Sequence, residues 1–191
     1  MRKLTLFLHA SLDSFVEGSN GAMDIGWIAY DADLAKHAKD ILSTADTVIW
    51  GRATYQMMHG YWPSILSNPE ASEHERNHAE WIEKTEKIVF STTLDKVEWN
   101  NSRLVKDHVE EEINKLKQQL GKDMVILGSP RFAHYLMQLN LIDEYKITIS
   151  PVLIGNGLPL FEGGSEKTNL KLIENKTFAS GAIGLHYQKI S

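Results

Sequence analysis

The segment Val125–Phe161, VILGSPRFAHYLMQLNLIDEYKITISPVLIGNGLPLF, contains the pattern that decides the fold of this chain. Its first residues are a short apolar run that stops at Gly128, which is typical of a buried strand. The stretch RFAHYLMQLNL has helical character, so a strand leads directly into a helix, as in α/β domains. The following EYKITISPVLIG and LPLFEG look like antiparallel strands, which indicates that the sheet is mixed.

The same succession of strands and helices occurs upstream of this segment. Three further apolar runs predict strands, and two amphipathic stretches predict helices. These are Leu4–His9, Thr47–Trp50 and Lys87–Ser91 for the strands, and Asp31–Leu42 and Val109–Leu120 for the helices. Because neither an internal repeat nor a low-complexity linker interrupts the pattern, we expect one α/β domain over residues 1–191. Its sheet is predicted to be mostly parallel and flanked by helices, with antiparallel strands at the C-terminus.

The composition limits the class of protein. The 191 residues are 42% hydrophobic and 24% charged, as in an ordinary globular domain, and the net charge is −5. That charge gives no general attraction for nucleic acid or an anionic membrane, so an anionic ligand needs a local pocket. The chain has no cysteine, which excludes disulfides and thiol chemistry and is compatible with the cytoplasm. No apolar run approaches the roughly 18 residues that a membrane span requires.

Small and polar residues follow three of the predicted strands. Ligands of α/β sheets bind beyond the carboxyl ends of the strands, where the amides of the next helix point outward. A glycine allows close approach of a ligand, an arginine pairs with phosphate, and hydroxyls suit a ribose or its phosphate. The dinucleotide fingerprint G-x-G-x-x-G is missing, so a bound dinucleotide would be held by another design. The three strand ends are Gly51, Arg52 and Thr54; Ser91 and Thr92; and Gly128, Ser129 and Arg131.

The order and spacing of four segments resemble the dihydrofolate reductase-like superfamily. More closely, nearly the whole chain is similar to the reductase domain at the C-terminus of the bifunctional riboflavin-biosynthesis deaminase-reductase. The segments are HASLDSFVEG, TVIWGRATYQMM, KIVFSTTL and the one quoted first. The resemblance implies NADPH as hydride donor, a small-molecule substrate and a homodimer.

Carried over motif by motif, the resemblance assigns cofactor contacts to the three strand ends. The first holds the cofactor phosphates, the second meets the adenosine, and the third, together with Phe132, lies beneath the pyrophosphate. Ser129 replaces a glycine that is usual in dihydrofolate reductases. We therefore expect a backbone at Ser129 that is not forced to positive φ.

Two carboxylates are candidates for the substrate side. Asp13 resembles the acid of the family's S-L-D-G motif, and its alternative role is to cap a turn. Asp33 aligns with the helix-borne acid that dihydrofolate reductases use to bind the pterin, and its alternative role is to stabilise a helix start. Gly155 and Gly157 either approach a ligand or serve as turn glycines, and we favour turns.

The motif H-E-x-x-H occurs at His74–His78, where it matches the pattern of zinc hydrolases. The residues between the histidines are Arg76 and Asn77, and the flanks are polar. The extended pattern with a third histidine is missing. We therefore predict a connecting helix whose histidine face looks into solvent, and no metal site.

The resemblance implies an NADPH-dependent reductase that is most like 5-amino-6-(5-phosphoribosylamino)uracil reductase. The alternatives are dihydrofolate reduction and a nucleotide-binding dimer without turnover.

Overall fold

The computed structural model describes residues 1–21, 24–163 and 166–190. The chain forms ten strands and five helices in the described part. In chain order they are β1 Leu4–Ser11, β2 Phe15–Gly18, α1 Ala32–Ser43, β3 Ala45–Gly51, α2 Arg52–Ile65, α3 Glu73–Lys84, β4 Glu86–Phe90, β5 Ser102–Val105, α4 Val109–Gln118, β6 Asp123–Leu127, α5 Pro130–Gln138, β7 Glu144–Ser150, β8 Gly157–Pro159, β9 Leu170–Thr177 and β10 Ile183–Lys189.

Eight strands form one sheet in the order β5-β4-β3-β6-β1-β7-β10-β9. The six strands from β5 to β7 are parallel to their neighbours, whereas β10 runs antiparallel to both β7 and β9. The mixed, mostly parallel sheet with antiparallel C-terminal strands is therefore confirmed. The chain moves outward from β3 to β5 and returns to place β6 between β3 and β1. The carboxyl ends of β3, β4 and β6 consequently lie side by side, at the kind of edge where α/β sheets bind ligands.

Three details of the C-terminal half differ from the simple pattern. β7 is not wholly antiparallel, because it pairs in parallel with β1 on one side and antiparallel with β10 on the other. The LPLFEG strand contributes only β8, which leaves the main sheet and pairs with β2 in a two-stranded ribbon. β9 was not predicted, because Leu170–Thr177 is largely exposed and shows no clean alternation of apolar residues.

Apolar residues cover both faces of the sheet because strand side chains alternate between them. In β1, Leu4, Leu6 and Leu8 pack in the core beneath α4 and α5, whereas Phe7 packs in the core beneath α1, α2 and α3. Trp50 is fully buried in the second core, and its indole N–H donates to the carbonyl of Leu127 at 2.8 Å. This bond ties the ends of β3 and β6 together, directly beside the predicted site.

Candidate active site

Three helices that follow the parallel strands begin without a side-chain cap. Gly51 precedes α2, His108 precedes α4 and Ser129 precedes α5, and none of these residues hydrogen-bonds its own helix start through a side chain. In contrast, Asp31 caps α1 at Leu34 N, and Ser72 with Glu75 forms a capping box at α3. The first amide N–H groups of an uncapped helix need an external acceptor and carry partial positive charge. Such a helix start therefore favours an anionic ligand where no acidic residue lies in its first turn.

The turn between β6 and α5 is left-handed at two consecutive residues. Gly128 has φ 66° and Ser129 has φ 58°, so the expectation of an ordinary backbone at Ser129 was wrong. The physical reason is a compensating hydrogen bond, because the buried Ser129 Oγ accepts the N–H of Gly51 at 2.9 Å. A glycine could adopt this conformation more easily, but it would leave that amide without this acceptor.

Gly51 is needed for a different reason, namely close packing. A Cβ at Gly51 would lie 3.1 Å from Cβ of Phe132 and 3.5 Å from Oγ of Ser129. The first turns of α2 and α5 consequently approach each other closely, and the ring of Phe132 stacks on Phe90 at a centroid distance of 5.1 Å.

A cleft of about 810 Å³ lies over these strand ends. Its volume falls in the usual range of about 300–1,000 Å³ for ligand sites. Eight of the nine predicted cofactor residues line it, and Gly128 lines the cavity next to it. The eight are Gly51, Arg52, Thr54, Ser91, Thr92, Ser129, Arg131 and Phe132. The structure thus brings together three motifs that are far apart in the sequence.

The charges in the cleft are unevenly placed. Arg52 is exposed and donates to Oγ1 of Thr93 at 3.2 Å, and Arg131 pairs with Glu17 at 3.1 Å. The first turns of α2 and α5 contain no acidic residue, whereas that of α4 contains three. A doubly charged phosphate group would therefore be most stable between α2 and α5.

Ser91 organises its own turn. Its Oγ accepts the N–H groups of Thr93 at 3.2 Å and Leu94 at 3.0 Å, while the side chain of Thr92 remains exposed. Of the two predicted hydroxyls, Thr92 is therefore the more available to a ligand.

Asp13 and Asp33 lie in different surroundings. One carboxylate oxygen of Asp13 accepts from Ser11 Oγ at 2.6 Å, and its two oxygens accept the N–H groups of Ile154 and Gly155. The hydrogen bond from Ser11, followed by the two backbone N–H bonds, holds the pKa of Asp13 below its usual value. Asp33 is exposed in the first turn of α1, where Asp31 provides the cap.

A second cavity of about 200 Å³ adjoins the cleft and shares five lining residues with it, including Thr54, Ser129 and Arg131. Sequence reasoning missed most of its lining, because the residues come from separate elements and match no motif. A usable signal is His9, the one ionisable residue of the strand LTLFLHAS, close to its carboxyl end. The residues that line only this cavity include His9, Glu17, Ile25, Ile28, Met57 and Met58.

The H-E-x-x-H motif lies on α3, as predicted, but its histidine face does not look into solvent. The ring of His78 packs against Trp62 at 4.2 Å and Trp81 at 5.7 Å, and its Nε2 is buried without a hydrogen-bond partner in the described chain. The Nε2 of His74 lies 3.1 Å from the hydroxyl of Tyr30. The prediction failed because α3 packs against α2, which polar flanking residues do not reveal. In the described residues, no group of three or more potential ligands is arranged to hold a metal ion.

Comparison with known proteins agrees with this fold. Residues 2–183 match the RibD C-terminal domain family. YyaP of Bacillus subtilis (strain 168), described as an uncharacterized protein, is 32% identical over 186 residues, which cover 97% of this chain and 94% of that protein. A putative riboflavin biosynthesis protein from Shewanella sp. PV-4 has a TM-score of 0.74 at 20% identity, with 99% of both chains covered. Dihydrofolate reductase from Enterococcus faecalis, solved with NADP(H), has a TM-score of 0.63 at 14% identity, with 99% of this chain and 97% of that chain covered.

The fold is that of a dihydrofolate reductase-like α/β protein. Within that class the chain belongs to the RibD C-terminal domain family, over nearly its whole length. Membership supports a reductase-like function. No helix in the described part of the chain is both long enough and apolar enough to cross a bilayer.

Proposed function

We propose that this protein is an NADPH-dependent reductase, formed by one domain over residues 1–191, that acts on a small molecule in the cytoplasm. The observation that carries the proposal is the convergence of two uncapped helix starts, those of α2 and α5, on a cleft that continues into a smaller, mostly apolar cavity. A dinucleotide needs both parts, one for its phosphates and one for the ring that reacts.

The residues of the cleft fit such a cofactor. The pyrophosphate is proposed to receive hydrogen bonds from the first amides of α2 and α5, with Arg52 and Arg131 as counter-charges. Gly51 and Gly128 keep side-chain atoms away from the phosphates, while Thr54 and Ser129 line the junction with the cavity. Thr92, on the turn that Ser91 holds, is proposed to meet the adenosine end, and Phe132 would lie beneath the pyrophosphate. Bound NADPH would supply a hydride, and the chain would supply orientation and exclusion of water.

The substrate proposal follows the resemblance. The activity that the resemblance implies is reduction of 5-amino-6-(5-phosphoribosylamino)uracil, and one solved structure with this fold is a putative riboflavin biosynthesis protein. We propose that Asp13 serves the substrate side indirectly, since its hydrogen bonds fix the backbone at Ile154 and Gly155. Gly155 has φ 75°, which agrees with a turn glycine.

Dihydrofolate reduction depends on Asp33, and Asp33 is not among the described residues that line either cavity. That activity stays a prediction, as does a nucleotide-binding dimer without turnover. We propose a homodimer in either case. β9 is an edge strand with two exposed apolar residues, Leu172 and Ile173, which a second copy would cover.

The decisive experiment is a titration of the full-length protein with NADPH, followed by oxidation assays. Saturable binding with a micromolar dissociation constant is expected, with turnover of the pyrimidine phosphate, of dihydrofolate or of a simple carbonyl compound. A folded protein that does not bind NADPH at high micromolar concentration would remove every reductase proposal. Binding without oxidation of any of these compounds would favour the nucleotide-binding dimer.

A further inference from the structure

His9 occupies a special position between the sheet and the smaller cavity. It lies near the end of β1, on the same face of the sheet as Phe7, and its side chain lines the cavity. Edge contacts fix the orientation of its ring, with centroid distances of 5.2 Å to Phe7 and 6.1 Å to Tyr30. The imidazole is therefore held in place before any ligand binds.

The two ring nitrogens of His9 are in different environments. Nδ1 is buried and has no hydrogen-bond partner among the described residues. Nε2 also makes no hydrogen bond in the described chain, but unlike Nδ1 it is not fully buried. We therefore place it toward the cavity that His9 lines. Buried N–H groups without a partner are rarer than acceptors without one. The proton is accordingly assigned to Nε2, and Nδ1 carries the lone pair.

His9 is neutral at physiological pH. Burial, with a smaller contribution from nearby His37, lowers the pKa of His9 to about 4. A neutral imidazole offers one N–H donor that remains a donor across the working pH range.

The rest of the cavity disfavours a charged group. Phe7, Ile28 and Met57 give it an apolar lining, and its two oppositely charged residues, Glu17 and Arg131, pair with each other at 3.1 Å. At about 200 Å³ it is smaller than a typical ligand site, so beside the reacting ring of the cofactor it accommodates only the reacting end of a substrate.

We propose that His9 is a catalytic residue that donates a hydrogen bond from Nε2 to the carbonyl oxygen or imine nitrogen of a compact, uncharged substrate group. This inference rests on the proposed reductase function and specifies its substrate class. In the reduction, the carbon of the C=O or C=N bond accepts the hydride of NADPH, which becomes NADP⁺, and the π bond breaks. The heteroatom gains negative charge and takes a proton from water, while His9 keeps its own proton. A fixed donor at that atom stabilises the charge as it develops.

The first test reads His9 directly by nuclear magnetic resonance of protein with ¹⁵N-labelled histidine. His9→Phe assigns the signal and keeps a ring of similar size. We expect the protonated nitrogen to be Nε2 in the protein alone. With the protein saturated by NADP⁺, so that no hydride is available, benzaldehyde and 3,4-dihydroisoquinoline should shift the Nε2 signal. Toluene, which has no acceptor, should leave it in place.

The second test uses turnover and cofactor affinity. His9→Phe should lower kcat with benzaldehyde or 3,4-dihydroisoquinoline by about 100-fold. His9→Gln, which keeps an N–H donor, should recover part of that loss. His37→Phe is the matched control, because His37 packs against Phe178 and does not line the cavity. All three variants should bind NADPH with nearly the dissociation constant of the unaltered protein.

The outcomes separate this inference from the proposed function. A proton on Nδ1, or no response of His9 to either acceptor probe, overturns the role of His9. The role of His9 is also overturned if a His9→Phe variant, shown by thermal unfolding to be folded, reduces benzaldehyde or 3,4-dihydroisoquinoline as fast as the unaltered protein. Failure of the unaltered protein to bind NADPH would instead refute the reductase function, whatever the state of His9.

Discussion

The hydroxyl oxygen of Ser129 accepts the backbone N–H of Gly51 at 2.9 Å, and this bond links the end of β3 to the start of α5 between two residues that line the cleft. It satisfies an amide at the start of α2 and holds Ser129 in its left-handed conformation. One side chain therefore links the two helix starts that we propose to hold the pyrophosphate.

The first prediction concerns that side chain. Ser129→Ala removes the acceptor but keeps a Cβ at positive φ, so it should lower the free energy of unfolding by about 1–3 kcal/mol. Ser129→Gly also loses the acceptor, but it relieves the strained backbone and should cost less. Urea unfolding of both variants measures the difference. Equal stability of Ser129→Ala and the unaltered protein would show that the bond contributes nothing.

Arg52 is predicted to pair with a cofactor phosphate. Arg52→Ala should therefore weaken NADPH binding by about tenfold or more, since a hydrogen bond to a charged group contributes about 1.5–3 kcal/mol. Isothermal titration calorimetry measures the affinity. Arg76→Ala is a suitable control, because Arg76 is an exposed arginine on α3, outside the residues that line the cleft. Unchanged affinity in Arg52→Ala would remove this residue from the site.

His78 is predicted to make the protein sensitive to acid. Burial, with a smaller contribution from His74, lowers the pKa of His78 to about 4 from a usual value of 6.5. The unfolded chain therefore binds more protons than the folded chain between these values. The contribution of neutral His78 to the free energy of unfolding is fully present above pH 6.5. It is lost as the pH falls toward 4, by about 1.4 kcal/mol per pH unit.

His78→Phe keeps an aromatic ring between Trp62 and Trp81 without a titrating group. Its unfolding free energy should depend less on pH between 6.5 and 4, as measured by urea unfolding at several pH values. The remaining slope should include the contribution of His9, whose pKa is lowered in the same direction. Parallel profiles for the variant and the unaltered protein would contradict the prediction.

The proposed dimer surface gives a fourth prediction. Leu172→Lys places a charge on the exposed edge strand, where it would be desolvated by a second copy. We expect light scattering after size-exclusion chromatography to show a dimer for the unaltered protein and a monomer for this variant. Lys171→Ala, a change at the neighbouring exposed residue, is expected to leave the dimer intact. A monomeric unaltered protein would end the proposal.

The sequence by itself determined most of the elements and the strand-end residues that line the cleft. Apolar periodicity, which is a local property, predicts seven of the elements, namely β1, α1, β3, β4, α4, β6 and α5. The strand-end residues from Gly51 to Arg131 could be predicted because glycine, hydroxyl and arginine positions after a strand indicate a binding edge. The proposal that these residues contact a cofactor comes from the resemblance of their order and spacing to a known family.

Only the tertiary structure decided which distant residues meet. His9, Glu17 and Met57 form one cavity because β1, β2 and α2 converge there, and no spacing in the chain encodes that approach. The buried face of His78 depends on the packing of α3 against α2, and the left-handed Ser129 depends on an amide that is 78 residues away. Local patterns describe how a segment folds, whereas burial, pKa and hydrogen-bond partners are set by what packs against it.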